Sequence, residues 1–297
     1  MVQRTSPRFG ILRRHARTLA QGGVLLAVVA VCVWILAPFT WLVISSISTR
    51  VELTSVPLRW FPDHPRFDNY VWVLAGGPGA SSVHRSLQRG ALNSLVIAGW
   101  ATLISLVAGS MAGYALGRLR FPGRNAALAS LLMTQLLPAV VIIIPLYSVM
   151  RAVRLLDTPV ALILADVALI LPLAMWILTG YFVGIPRELE EAARVDGCTR
   201  AGALVRVTLP LAAPGIAATG IFSFIIAWNE FFSAFILSST LRSKTMSVVI
   251  AEFSSKVGVD YVAMATAGVL ASLPPVILAI AFQRYIVQGL TAGAVKG

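Results

Sequence analysis

Charge is scarce in this chain. Asp, Glu, Lys and Arg make up 12% of its 297 residues, about half the usual share of a soluble domain. So few charged groups cannot cover the surface of a water-soluble protein of this length. A soluble enzyme and a disordered chain are thereby excluded. Cysteine is scarce too. Cys32 and Cys198 are the only two, which is no disulfide framework. The three histidines, His15, His64 and His84, are scattered and form no ligand set with them, which argues against a metal site. No G-x-x-x-x-G-K-[ST] phosphate loop occurs, because Ser243 precedes Lys244-Thr245 where the second glycine is required. No cofactor and no metal are expected in this chain.

Apolar residues are abundant instead, at 58%, and the mean hydropathy is +0.83. A bilayer core of roughly 30 Å takes about 20 helical residues to cross. Thr18–Thr49, Gly90–Gly117, Asn125–Met150 and Tyr261–Gln283 carry no charge. Thr158–Ile185 carries only Asp166, and Val207–Leu241 only Glu230. These runs predict six transmembrane helices in an all-α, polytopic membrane protein. Backbone groups in lipid must be satisfied within the segment, and long runs without alternation exclude a β-barrel. The basic residues Arg4, Arg8, Arg13, Arg14 and Arg17 precede an apolar run too long for a secretory signal, so an uncleaved first span is expected.

Twenty-four Lys and Arg against 12 Asp and Glu give a net charge of +12. In so apolar a chain this points to membrane lipid headgroups rather than nucleic acid. With the N-terminus inside, 14 of the 24 basic residues fall on the cytoplasmic side, which favours cytoplasmic N- and C-termini. The expected organisation is a cytoplasmic tail over 1–22, a first span over 23–46, an extracytoplasmic segment over 47–89, a five-helix core over 90–287 and a cytoplasmic tail over 288–297. The 47–89 segment is rich in Pro and Gly, which marks turns and short helices. Phe67-Asp68-Asn69-Tyr70 could open one such helix, with Asp68 as cap and Tyr70, Val71 and Leu74 on its apolar side. That helix either covers the bundle or meets an external partner.

Pro186–Pro210, between spans four and five, carries the most information. Pro186 suits a first helical turn, and Glu188, Glu190 and Glu191 lie near the positive helix end. Glu190 and Arg194 are spaced to pair. Gly197 suits a left-handed helix end, and Thr199 can cap a second helix running to about Val207. The result is a helix–turn–helix elbow. It is either a solvated connector or a rigid docking knob whose small residues Ala192 and Ala193 seat in a cleft.

Glu191-Ala192-Ala193, Gly197, Val207, Leu209 and Pro210 keep the spacing of the "EAA" loop, EAA-x3-G-x9-I-x-L-P, of ABC importer permeases, with Val207 in place of Ile. The chain therefore resembles the permeases of binding-protein-dependent sugar importers. Tyr114–Gly123 resembles the "YAxxRxxFPG" end of the second span of the maltose/trehalose type. Leu92-Asn93-Ser94 and Phe67–Tyr70 resemble two further motifs of that type, and Gln283–Gly297 is similar to the tail of its smaller permease subunit. The resemblance covers residues 24–297. It implies a non-catalytic subunit in the cytoplasmic (inner) membrane of a bacterium or archaeon. The implied partners are a homologous second permease, two ATPase subunits that hold ATP and Mg, and an extracytoplasmic sugar-binding protein. It also implies that Glu191, Ala192, Ala193, Asp196, Gly197, Leu209 and Pro210 couple to the ATPase, and that the tail, with Gly289, Thr291 and Lys296, reaches toward it.

Polar residues inside the spans are candidates for the sugar path: Asn93, Gln135, Trp228, Asn229 and Glu230. Aromatic faces stack on pyranose rings and amides bond hydroxyls. The same side chains could equally be glue between helices. A second function stays open on the residues alone: a proton-coupled carrier that relays through Asp166 and Glu230. An intramembrane enzyme finds no catalytic arrangement on any span.

Overall fold

A computed structural model describes residues 7–76, 81–255 and 258–284. The chain divides into two units, Met1–Asn69 with Asp260–Val269, and Tyr70–Val259 with Leu270–Gly297. Helices dominate both. Among the described residues the one extended pairing is a two-residue ribbon, Ser254–Ser255 against Gly258–Val259.

In the first unit, α1 (Pro7–Ser46) begins inside the segment expected to be a tail. Its apolar part, Gln21–Ser46, is long enough to cross a bilayer, and the protein leaves residues 21–40 of it exposed while burying Ser45 and Ser46 at its end. Trp34 is 83% exposed. Such a surface is stable only against lipid or another protein. The chain leaves α1 through α2 (Arg50–Thr54), which opens on a capping box between Thr49 and Glu52. Asn69 Nδ2 donates to the carbonyl oxygens of Ser46 at 2.8 Å and Ser48 at 3.2 Å. Thr266 Oγ1 donates to Ser46 as well. The free carbonyls at the end of α1 are thus satisfied by side chains far along the sequence.

The short helix expected near Asp68 is present as α3 (Asp68–Ala75). Its buried side differs from the expected one: Val73 is buried while Val71 and Leu74 are exposed.

The second unit is built on α4 (Ser81–Arg118) and α7 (Pro159–Gly184). Gly109 faces Ala174, Gly113 faces Leu178 and Thr179, and Gly117 faces Phe182. A step along one helix matches an equal step along the other, so α4 and α7 run parallel with their backbones close together. A Cβ at Gly113 would lie 3.1 Å from the backbone nitrogen of Thr179. Small residues in this row permit that approach.

Two expected spans are not continuous helices. Asn125–Met150 is split into α5 (Arg124–Thr134) and α6 (Ala139–Ala152). Pro138 has no N–H to donate, and its ring disfavours helical geometry at Leu137, so α5 ends before it. Val207–Leu241 is split further. The helix of the elbow, α9 (Arg200–Ala203), passes through a π turn at Leu204–Thr208 into α10 (Leu209–Leu211), beyond the expected end near Val207. The missing N–H and bulky ring of Pro210 account for the widened turn, since an α-helix would press the ring on the Arg206 carbonyl. The chain then bends by 74° into α11 (Ala213–Asn229). It breaks again at Glu230 before α12 (Phe232–Leu237). Further along are α13 (Met246–Glu252) and α14 (Tyr261–Ala281). Among the described residues, four helices can each cross a membrane by length and composition, or five if the pair bent by 74° counts as one span.

Candidate functional site

The elbow after α7 forms by local chemistry. Pro186 precedes α8 (Arg187–Val195). Gly197 has φ +91°, its N–H bonds the Arg194 carbonyl, and the N–H of Cys198 reaches back to Ala193 at 3.0 Å. This pair of bonds is the Schellman ending that a left-handed glycine permits. Thr199 Oγ1 then accepts the N–H of Gly202 at 3.1 Å and caps α9. Helix end, turn and cap occupy the positions that the residues called for.

Side chains from the end of α4 hold this elbow. Tyr114 OH donates to Glu190. Arg118, 8% exposed, donates from its terminal nitrogen to the Ile185 carbonyl at 2.6 Å. Its Nε lies 3.8 Å from the Glu190 carboxylate. Glu190 thus turns to α4 rather than pairing with Arg194. Leu209 and Leu204 pack on a small core of Tyr114, Leu178, Phe182 and Ala212. Glu191, Ala192, Asp196 and Pro210 are exposed, and Ala193 is half-buried. The exposed part of the elbow carries Glu188, Glu191 and Asp196 beside Arg187, Arg194 and Arg200, and is close to neutral. Tyr114 and Arg118 were missed as tethers. Their spacing of one helical turn on α4 was the available signal, but their partner lies 76 residues away for Tyr114.

The polar residues of the spans are scattered in role. Asn93 is buried, and its Nδ2 donates to the carbonyls of Leu241 at 3.1 Å and Lys244 at 2.9 Å. Trp228 is buried, stacks on Phe224, and donates from Nε1 to the Ala271 carbonyl. Asn229 and Gln135 are exposed. Asn229 bonds within its own helix to Ile225, and Gln135 donates to the Leu169 carbonyl at 3.2 Å. Glu230 accepts the N–H groups of Ser233 at 2.8 Å and Ala234 at 3.0 Å. Its charge sits at the positive end of α12, where a carboxylate is favoured. Asp166 is buried on α7. Gly289, Thr291 and Lys296 lie outside the described residues.

A second cluster went unread in the sequence. Asp157 receives the N–H groups of Ser239 at 2.9 Å and Thr240 at 3.0 Å, together with the hydroxyls of Thr240 and Ser243 at 2.6 Å each. With Asn93 it clamps the loop 238–245 at the opposite end of the bundle from the elbow. Burial works against the charged carboxyl, and the bonds from Ser243, Thr240 and Ser239 outweigh it, so Asp157 is held well below the ordinary carboxylate value. A depressed folded pKa means that the clamp contributes fully above the unfolded value, about 3.9. It is lost only as pH falls through the lower folded value. Proteolysis of this loop is therefore expected to stay flat from about pH 8 down to about pH 4. Asp157→Asn, which loses the charge, is expected to raise cleavage several-fold throughout that range. A loop of unchanged resistance in the variant would show that Asp157 does not hold it.

A multi-pass helical membrane protein with an elbow projecting from its bundle is the class these elements define. The chain belongs to the family described as binding-protein-dependent transport system inner membrane component, whose model matches residues 105–292. It is 37% identical over 262 residues to the sulfoquinovosyl glycerol transport system permease protein SmoH of Agrobacterium fabrum, covering 88% of this chain and 89% of that one. It is 36% identical to the trehalose transport system permease protein SugB of Mycobacterium tuberculosis, covering 88% and 93%. It is 34% identical to the trehalose/maltose transport system permease protein MalG of Thermococcus litoralis, covering 93% and 95%. The fold is that of a bacterial ABC transporter involved in the import of the acidic polysaccharide alginate, with a TM-score of 0.72 at 22% identity over 96% of this chain and 99% of that one.

Proposed function

We propose that this chain is one of two permease subunits of an ABC importer for a di- or oligosaccharide, and that ATP is hydrolysed in separate subunits that grip the elbow. The observation that carries this reading is the elbow itself. A short helix ends on a left-handed glycine, exposes Glu191 and Ala192, and is tied through Glu190 to the end of α4. Such a lever can pass a push from a soluble partner into the bundle. The family and the permease relatives for trehalose, maltose and sulfoquinovosyl glycerol support the reading. An alginate transporter of similar fold has been solved with a pentasaccharide-bound periplasmic protein, which supports an external binding protein as a further partner.

Six crossings fit this reading. Since α4 and α7 run parallel, the chain between them must return across the bilayer, and α5 with α6 is what lies between. That pair then serves as one broken span. The elbow and both termini fall on the cytoplasmic side by the distribution of Arg. Along the sugar path, Asn229 and Gln135 are the exposed candidates. Asn93, Trp228 and Glu230 act first as supports, since each already has partners within the chain. No basic residue lies well inside a span to neutralise an anionic solute, which favours an uncharged saccharide.

The test is uptake of labelled trehalose or maltose into vesicles holding the whole importer and its binding protein. Uptake is expected to require ATP on the elbow side and to survive a protonophore. Uptake that persists without ATP and collapses with the protonophore would overturn the proposal in favour of a proton-coupled carrier. Glu230→Gln separates the two as well. The amide keeps one oxygen to cap α12, at a cost of about 1 kcal/mol, so uptake by an importer is expected to remain within a few-fold. A proton relay would lose nearly all of it.

A further inference from the structure

The inside of the elbow holds a cavity that the lever does not require. Its volume is about 630 Å³, and it lies between the end of α4, the residues just after it, α8 and the start of α9. Five guanidinium groups line it: Arg118, Arg120, Arg187, Arg194 and Arg200. Only Glu190 and Glu191 oppose them, and Glu190 already accepts the Tyr114 hydroxyl.

Four of these arginines, Arg120, Arg187, Arg194 and Arg200, are exposed. Among the described residues none of the four has a carboxylate within salt-bridge reach. The fifth, Arg118, is buried. It uses its terminal nitrogen on Ile185, and its Nε, 3.8 Å from the Glu190 carboxylate, makes no hydrogen bond. A buried charged donor without a hydrogen bond is costly. Converging like charges repel one another unless an anion enters between them. Guanidinium forks match the oxygens of a phosphate in geometry as well as charge. The cavity also sits where the apolar lengths of α4 and α7 end, at Arg118 and Gly184. That is the level at which lipid headgroups lie.

We propose that this cavity binds a phosphate-bearing anion, either the phosphodiester headgroup of an anionic lipid or free phosphate, and that the bound anion braces α8 against the end of α4. This site is separate from any sugar path and does not depend on which solute is carried.

The full-length chain in its purified membrane complex is placed in discs of phosphatidylcholine alone, or with one part in five of phosphatidylglycerol. Retained lipid is counted by native mass spectrometry. A third arm titrates inorganic phosphate into the phosphatidylcholine discs and follows heat. Retention of one phosphatidylglycerol per chain, cut about tenfold in R120Q/R200Q and largely kept in R120K/R200K, is expected for a lipid headgroup. Saturable phosphate binding with the same variant pattern, and no lipid retention, assigns the site to the free anion. Equal retention and equal phosphate heats in all three forms would overturn the proposal. So would quantitative crosslinking of Arg120→Cys to a partner subunit, because a protein side chain would then fill the cavity. The variants are compared at equal complex yield and equal melting midpoint. If R120Q/R200Q fails that check, R194Q is read in its place.

Discussion

Gly197→Asp is expected to release the ATPase subunits and to lower ATP-driven uptake by more than tenfold. The backbone at Gly197 has φ +91°, and a Cβ there would meet nothing within 4 Å. The damage is therefore conformational rather than steric. A side chain in the left-handed region costs on the order of 1–2 kcal/mol. Asp adds a negative charge at the carbonyl end of α8, beside Asp196, where the helix dipole disfavours it. Losing the turn also breaks the bond from Cys198 to Ala193, so α8 no longer ends at a fixed angle. Gly123 provides a matched control. It has φ +83° and the same open space, but it lies between α4 and α5. Gly197→Ala and Gly123→Ala share the same backbone strain. Only the first is expected to weaken co-purification of the ATPase. Equal effects would reduce the role of Gly197 to stability, and a Gly197→Asp complex that still transports would sink the coupling proposal.

Gly215→Val is the second change with a large expected effect, through packing. A Cβ at Gly215 would lie 2.3 Å from Cγ of Tyr181, the ring atom closest to the backbone. Rotating the far end of the ring cannot clear that overlap. Either Tyr181 leaves its rotamer or α11 moves off α7, and overpacking of this kind costs about 1–3 kcal/mol. Because α11 follows directly on the bend after the elbow, the displacement reaches the join between lever and bundle. We expect a melting midpoint several degrees lower and little mature complex in the membrane. Gly180→Val, on the same helix as Tyr181 with nothing within 4 Å of its Cβ, is expected to leave both unchanged. Equal yields for the two variants would show that α7 and α11 are not in close contact at Gly215.

Features set within a few residues of one another were legible. The elbow starts after Pro186, ends its first helix at Gly197 and caps its second with Thr199, because each depends on the neighbouring residues alone. Long apolar runs gave helices for the same reason. Their continuity was not legible. A carboxylate at 230 in an apolar run looks like a charge in mid-span, whereas it breaks the run and caps the next helix. The uncharged run Asn125–Met150 looks equally continuous, yet α5 ends before Pro138. Contacts between distant residues were invisible. Glu190 has Arg194 one turn away as an obvious mate, and only the fold brings in Tyr114 and Arg118. Asp157 gave no sign of holding a loop more than 80 residues ahead of it.

The glycine row of α4 also makes an argument about stiffness. Gly109, Gly113 and Gly117 lie against α7 with no side chain of their own in between, and Tyr114 and Arg118 on the same stretch hold Glu190. Side chains at a helix interface can change rotamer and absorb a small displacement, but two backbones in contact have little such slack. Clamped together, α4 and α7 form a beam two helices deep, and a beam resists bending far more steeply than in proportion to its depth. A force delivered at Glu190 would therefore move the pair as one body instead of flexing the end where it is applied.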